Sequence, residues 1–314
     1  MTPPSGAGRD RLRAFVVGCP RSGTTLIQAR LTTHPLIDTF PETQLFQQLV
    51  GMQHQLAGLG GLRTAKEWRV DLVRGLLLQL GLGRNILPAY AKRLKEIGEH
   101  LGSPEFEEWK FPDTRRLDRL IDYATDRFDR AAARSGAIGW IEKTPTHLRY
   151  RRLIERYVPG AKFIHVVRDG RATVASIWEA VTKDYAYWRK NFPSIESCVT
   201  VWNKDLDRVK ACVGLPRHLV FNYHQFCDAP ERHCRTAWEF LGLDPDPPAT
   251  GEDNDRAGGI ILPYEEWKDS VNRPIEDYGL KKFEQVFTPA ERETIERGLT
   301  AGGDVTKLGM ACGS

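Results

Sequence analysis

The sequence predicts an α/β fold of three layers, with helices on both faces of a central parallel sheet, and three observations lead there. Short apolar runs bounded by turn residues recur at 14–18, 137–141, 163–167 and 219–223. None shows the polar alternation of a strand with one wet face, so each reads as a strand buried on both sides. Helical patterns occupy 23–33, 115–133, 147–157, 172–181 and 231–241, which gives the order strand, helix, strand that a parallel sheet requires. Glycine and proline are spread along the chain with no internal repeat and no linker-like concentration, so a single domain over 1–314 is expected.

Three segments depart from that rhythm. Residues 44–111 hold no convincing strand and contain the Gly58-Leu59-Gly60-Gly61 stretch, and they are expected to form a helical insertion over the site. Residues 244–259 gather Pro, Asp and Gly into a loop that reads either as a lid or as plain surface. The ends, 1–12 and 301–314, are expected to be flexible.

Composition narrows the class of partner. With 41% hydrophobic and 27% charged residues the chain is that of a water-soluble globular protein, and disorder is excluded for its body. A net charge of +4 from 45 basic and 41 acidic residues is too balanced for a nucleic-acid binder, though it suits an anion held in one local basic pocket. Cys19, Cys198, Cys212, Cys227, Cys234 and Cys312 are scattered, without a CxxC pair or Cys/His spacing, so neither a metal site nor a disulfide framework is expected. A reducing compartment follows. Residues 1–13 lack the apolar core of a secretory signal, and no run of about 18 apolar residues appears, so a cytoplasmic protein without a membrane span is expected.

The first strand runs into Gly18-Cys19-Pro20-Arg21-Ser22-Gly23-Thr24-Thr25 and then an apolar helix. Gly18 and Gly23 permit a tight turn, successive backbone N–H groups converge, and the helix opening near Ser22 adds the positive end of its dipole. That is a P-loop-like anion cradle. Against the Walker pattern GxxxxGK[ST] the glycine spacing is kept, but Thr24 stands in place of the lysine and the cation comes earlier, at Arg21.

The string CysProArgSerGlyThrThr after a buried strand resembles the 5′-phosphosulfate loop of sulfotransferases that use 3′-phosphoadenosine 5′-phosphosulfate (PAPS), in the branch with Arg where cytosolic steroid and phenol enzymes have Lys. The resemblance implies that Arg21, Ser22, Gly23, Thr24 and Thr25 hold the 5′ end of PAPS. A phosphosulfate carries less charge than a triphosphate and needs no bridging Mg²⁺. It also implies a single sulfotransferase domain, a small-molecule, lipid or glycan acceptor, and release of 3′-phosphoadenosine 5′-phosphate (PAP).

A second strand-turn-helix unit, from Phe163 through Val167-Arg168-Asp169-Gly170 to Ser176, reinforces the first. Arg168 stands where a buried strand emerges and can grip a phosphate bidentately, while Ser176 lies on the following helix. Their spacing of eight matches the family's 3′-phosphate motif, so the resemblance gives Arg168 and Ser176 that role. Asp169 reads as the N-cap of the helix. Tyr223 resembles the family position near the adenine, and reads equally as a strand-end core tyrosine.

Sulfuryl transfer is an in-line displacement dominated by positioning and electrostatics, and the acceptor must also lose a proton. In Phe40-Pro41-Glu42-Thr43, Glu42 resembles the segment that supplies the catalytic glutamate of tyrosylprotein sulfotransferases, and it is the preferred base. Trp140-Ile141-Glu142-Lys143-Thr144-Pro145-Thr146-His147 is similar to the EKxP segment of bacterial and glycan sulfotransferases. There Lys143 would stabilise charge on the bridging oxygen, Glu142 would orient Lys143 or substitute as base, and His147 stands as a further base. His34 belongs to a helix end rather than to chemistry. The aromatic stretch 178–192, with Tyr185, Tyr187 and Trp188, can line an acceptor cleft or fill the core. The segment around Trp267, Lys268 and Arg273 resembles a loop that closes over the nucleotide. Two other classes stay open: a small-molecule kinase with an atypical loop, and a noncatalytic nucleotide-binding protein.

Overall fold

The computed structural model describes residues 11–50, 86–114, 116–183, 186–248, 258–263, 280–305 and 311–312. Six strands form one sheet: β1 (Leu12–Gly18), β2 (Ile37–Phe40), β3 (Gly139–Lys143), β4 (Lys162–Val167), β5 (His218–Asn222) and β6 (Ala311–Cys312), in the order β2-β3-β1-β4-β5-β6. The first five run parallel and β6 joins β5 antiparallel. After β3 the chain crosses to the other side of β1 to enter β4. The carboxyl ends of β1, β3 and β4 therefore border a topological switch point, where parallel sheets leave a crevice for ligands.

β1 shows why its sequence carries no polar alternation. Phe15 and Val17 join the apolar cluster on one face of the sheet, and Ala14 and Val16 the cluster on the other. Phe15 packs edge-on against Trp140 at 5.4 Å and stacks on Phe163 at 5.8 Å. Strand side chains alternate between faces, so covering both faces makes the whole run apolar.

The expected strands and helices are present with shifted ends. The pattern at 147–157 begins instead as a 3₁₀ turn, Pro145–Tyr150, before the helix Arg151–Tyr157. β2 was not foreseen, since Ile37-Asp38-Thr39-Phe40 is short and polar at its centre; pairing with β3 makes it a strand. Nor was the helix Ile195–Lys210, which opens on a Ser194/Ser197 capping box. Within 44–111 the helices Leu45–Val50, Ile86–Leu101 and Pro104–Glu107 are described. Residues 51–85, 249–257 and 264–279, with Lys268 and Arg273, lie outside the described residues, as do Tyr185 and the side chain of Tyr187.

The described residues at each end, 11–12, 301–305 and 311–312, pack onto the fold. Leu12 opens β1, the Val305 carbonyl accepts a 2.8 Å bond from Asn222 Nδ2, and Ala311–Cys312 adds to the sheet edge. The reason lies in β5, whose exit and free edge offer polar groups that need partners.

Away from the crevice, β4 and β5 bury two imidazoles side by side. His165 Nε2 lies 2.8 Å from His218 Nδ1, and His218 Nε2 lies 3.0 Å from Glu155 Oε1. The carboxylate fixes the proton on His218 Nε2, so His218 Nδ1 accepts and His165 Nε2 donates. Cys212, beside them, donates its thiol to the Arg208 carbonyl at 3.2 Å. Burial, then the neighbouring His218 and the Arg151 guanidinium, press the His165 pKa down to about 3. The cluster is a hydrogen-bond chain from His165 through His218 to Glu155, and His165 Nδ1 at its end is buried with no partner among the described residues.

Candidate active site

The loop from Gly18 to Gly23 is bent by two left-handed residues, Arg21 at φ 69° and Gly23 at φ 90°. Glycine is required at 23 twice over, because a Cβ there would also fall 2.1 Å from Tyr223 Cε2. At Gly18 a Cβ would meet the Val166 carbonyl at 2.5 Å and Ser22 Oγ at 2.9 Å. Ser22 and Thr24 are buried and Thr25 is half-buried at the helix mouth. Ser22 Oγ is buried with no hydrogen-bond partner among the described residues.

The second loop opens at the end of β4. Asp169 caps the helix Gly170–Thr182 by accepting from the N–H groups of Arg171 and Ala172, as its position in the sequence predicts. Arg168 is half-buried, with its guanidinium 4.7 Å from the Tyr223 ring centre and its Nε buried without a partner among the described residues. Trp202 Nε1 donates to the Arg168 carbonyl at 3.1 Å and holds the turn. Arg168 Nη1 reaches the Arg21 carbonyl at 3.4 Å, so the two loops touch.

One expectation changes here. Arg21 and Ser176 were assigned to opposite ends of the ligand, yet Arg21 Nε donates to Ser176 Oγ at 3.2 Å. The left-handed turn at Arg21 swings its side chain off its own loop and toward the second one, over Trp188 at 5.8 Å. Arg21 thus stands between the two anion positions. Tyr223 is buried, with one face carrying the Arg168 guanidinium and an edge against Gly23, so it sits between the two loops as the core reading of this residue expects.

The third part lies on β3 and the segment after β2. Lys143, buried, forms an ion pair with Glu42 Oε1, and Glu42 keeps some exposure. Its neighbour Glu142 is wholly buried and turns away from Lys143. Glu142 Oε1 accepts from Thr43 Oγ1 at 2.8 Å and Thr144 Oγ1 at 2.6 Å, and Oε2 lies 2.9 Å from His147 Nδ1. Burial pushes this carboxyl up, but the facing His147 and the hydroxyl donors outweigh it and hold the group below its ordinary range. Phe46 N–H points at His147 Nε2 at 3.4 Å, which leaves the proton on Nδ1, facing Glu142. His147 is fully buried with both nitrogens turned inward, so it has no lone pair to offer an acceptor. Glu142, wholly buried with its oxygens turned to Thr43, Thr144 and His147, is no substitute base either. His34 also stays out of the chemistry: it is buried after the helix Thr24–Leu31, Nδ1 accepts from Leu36 N–H, and Nε2 meets the Asp244 carbonyl at 3.2 Å.

Several groups around the site carried no signal in the sequence. Arg149 and Asp205 form a buried bidentate pair, with Nη2–Oδ2 at 2.8 Å and Nε–Oδ1 at 3.1 Å. Cys19, in the first loop, faces Asp205, and burial and that charge push its thiol well up. Tyr90 and Arg93 reach over from the helix Ile86–Leu101. Each is remote in sequence from what it touches.

A switch-point crevice bordered by two strand-turn-helix units, with the Lys143–Glu42 pair beside them, is the arrangement of a P-loop-like α/β protein. Residues 14–247 match the model of the sulfotransferase family, and the chain belongs to that family. It is 25% identical over 277 residues to protein-tyrosine sulfotransferase 2 of Gallus gallus, covering 86% of this chain and 62% of that one. It is 27% identical over 242 residues to protein-tyrosine sulfotransferase A of Caenorhabditis elegans, covering 76% of this chain and 52% of that one. The chain thus spans between half and two thirds of the length of these curated relatives. Among solved structures, the sulfotransferase domain of the Synechococcus PCC 7002 olefin synthase superposes with a TM-score of 0.52 at 20% identity, covering 93% of this chain and 95% of that one. The sulfotransferase domain of the curacin biosynthetic pathway gives 0.51 at 15% identity, covering 92% and 98%. Both share the fold.

Proposed function

We propose that the chain moves the sulfuryl group of PAPS to a hydroxyl or amine of an acceptor by in-line displacement and releases PAP. One observation carries the reading: each of the two touching loops buries a polar side-chain atom, Ser22 Oγ in one and Arg168 Nε in the other, with no protein partner among the described residues. Buried polar atoms are nearly always paired, so these two await a ligand with acceptor oxygens. Bound there, PAPS supplies the sulfuryl group and the PAP leaving group. Ser22, Thr24, Thr25 and the N–H groups about Gly23 hold its 5′ end, Arg168 and Ser176 its 3′-phosphate, and Arg21 reaches both. Glu42, ion-paired with Lys143, accepts the acceptor proton, and Lys143 steadies the charge left on the leaving oxygen.

The relatives named protein-tyrosine sulfotransferases add a tyrosine phenol to the small-molecule, lipid and glycan acceptors. We place the protein in a reducing compartment: Cys19, Cys198, Cys212 and Cys234 are free thiols. Among the described residues no helix is long and apolar enough to cross a membrane.

The test has two arms. Calorimetry should show PAP binding at least tenfold tighter than AMP, and radiolabelled PAPS with an acidic tyrosine peptide and a panel of phenols, without added metal, should give labelled product. A preference for ATP with Mg²⁺ points to the kinase. PAP binding without product from any acceptor points to the noncatalytic protein.

A further inference from the structure

The segment that carries Glu42 has an unusual backbone, and all but one of the groups that hold it are remote in sequence. Gln44, two residues on, sits at φ 56°, a left-handed conformation that costs a non-glycine residue of order 1 kcal/mol or more. Such a conformation persists only where its surroundings over-determine it.

The surroundings supply that on two sides. From β3, Glu142 Oε1 accepts from the N–H of Thr43 at 3.2 Å, Thr144 Oγ1 from the N–H of Gln44 at 3.1 Å, and Thr43 Oγ1 from the N–H of Leu45 at 3.3 Å. The N–H of Phe46 goes to His147 Nε2. Four consecutive amides, 43 to 46, are therefore drawn onto one buried group of side chains with the Glu142 carboxylate at its centre. On the opposite side the carbonyls are held: Arg93 Nη2 donates to the Glu42 carbonyl at 3.2 Å and Tyr90 OH to the Thr43 carbonyl at 2.9 Å. Tyr90 is itself buried and stacked on Phe111 at 5.7 Å.

We infer that Glu142, oriented by His147, is a positioning residue that sets Glu42 against Lys143, and that Tyr90 clamps the same turn from above. Glu142 precedes Lys143 on β3, and its carboxylate grips the residue that follows Glu42. One rigid group thus fixes both members of the reacting pair, across about 100 residues of chain, without touching the substrate. The inference rests on the assignment of Glu42 and Lys143 made above.

Glu142→Gln tests it while keeping the shape. Its amide NH₂ would face the protonated His147 Nδ1, so the group must rearrange, and a shift of about 1 Å at Glu42 costs roughly 10²-fold in turnover. The expected result is a kcat lower by about that factor per PAP-binding site, PAP affinity within threefold of wild type, and an acid limb of the kcat–pH profile moved to higher pH as Lys143 loosens from Glu42. Glu142→Asp, which keeps the charge, should recover part of the rate. Tyr90→Phe keeps the ring stack and should lower kcat by about 3- to 10-fold, the worth of one hydrogen bond. Counting PAP sites removes any loss due to misfolding. Should Glu142→Gln prevent folding, Thr43→Val and Tyr90→Phe carry the same expectation.

Wild-type kcat per site and an unmoved pH profile in Glu142→Gln, with Glu42→Gln inactive, overturn this inference and leave the transfer reading standing. Full activity in Glu42→Gln removes Glu42 as the base and this inference with it, while the transfer reading stands.

Discussion

The two walls of the crevice are finished to different degrees. On the β1 and β4 side, the loops meet through a few contacts, Arg21 to Ser176 and Arg168 to the Arg21 carbonyl, and leave Ser22 Oγ and Arg168 Nε unmet among the described residues. On the β2 and β3 side, the backbone is held throughout, with the amides of 43 to 46 and the carbonyls of 42 and 43 all taken by protein groups, although Arg93 Nε, Glu142 Oε2 and His147 Nδ1 also lack a well-aligned hydrogen-bond partner among the described residues. The difference follows from what each wall faces. A wall that grips a polyanion can leave donors for the ligand to satisfy, since charge-assisted bonds repay their burial on binding. A wall that must present a base at one geometry gains by being rigid before the substrate arrives.

Substitutions on the two walls should therefore fail differently. The largest effect is expected from Glu42→Gln, which removes the base but no ligand contact: kcat should fall by about 10²- to 10⁴-fold with PAP affinity nearly intact. Single-turnover rates beside calorimetry would show it, and a large loss of PAP affinity would mean that the walls are not separate. Arg168→Ala should do the reverse. Losing one charged donor to a phosphate weakens PAP binding by about 10- to 100-fold, and kcat at saturating PAPS should change much less.

The smallest effect lies outside both walls, in the His165–His218 pair, and serves as a control. In the unfolded chain His165 takes a proton near pH 6.5, whereas in the fold it resists until about 3, because it is buried beside His218 and the Arg151 guanidinium. The unfolded state then holds the extra proton between those values, so stability rises with pH and is lost as pH falls from 6.5 toward 3. The slope reaches up to about 1.4 kcal/mol per pH unit. Thermal unfolding from pH 7.5 to 5 should show the decline, and His165→Gln should flatten it while kcat at pH 7.5 stays near wild type. An unchanged slope in that variant would assign the acid loss to other groups.

Legibility in the sequence tracked the distance over which each feature is built. Asp169 could be recognised as a cap because its partners are two and three residues away. Gly23 could be recognised because a left-handed turn between a strand and a helix selects glycine locally. Arg149, Tyr90 and Arg93 carried no such mark, and β2 was hidden because Asp38 and Thr39 broke the apolar run that a longer strand would show. His147 was offered as a base on its nearness to Lys143, but a 3₁₀ turn takes it inward to Glu142.

By itself, the sequence determined the parallel sheet, the two strand-turn-helix cradles and the set of polar residues available at their ends, because period, glycine placement and capping act over a few residues. The tertiary structure alone decided which of those residues meet. It turned Arg21 toward Ser176, set Tyr223 between the loops, and paired Glu42 with Lys143 while burying Glu142 and His147 behind them. The physical reason is that a side chain's role depends on partners brought together by strand order and helix packing, over separations of about 100 residues that no local pattern encodes.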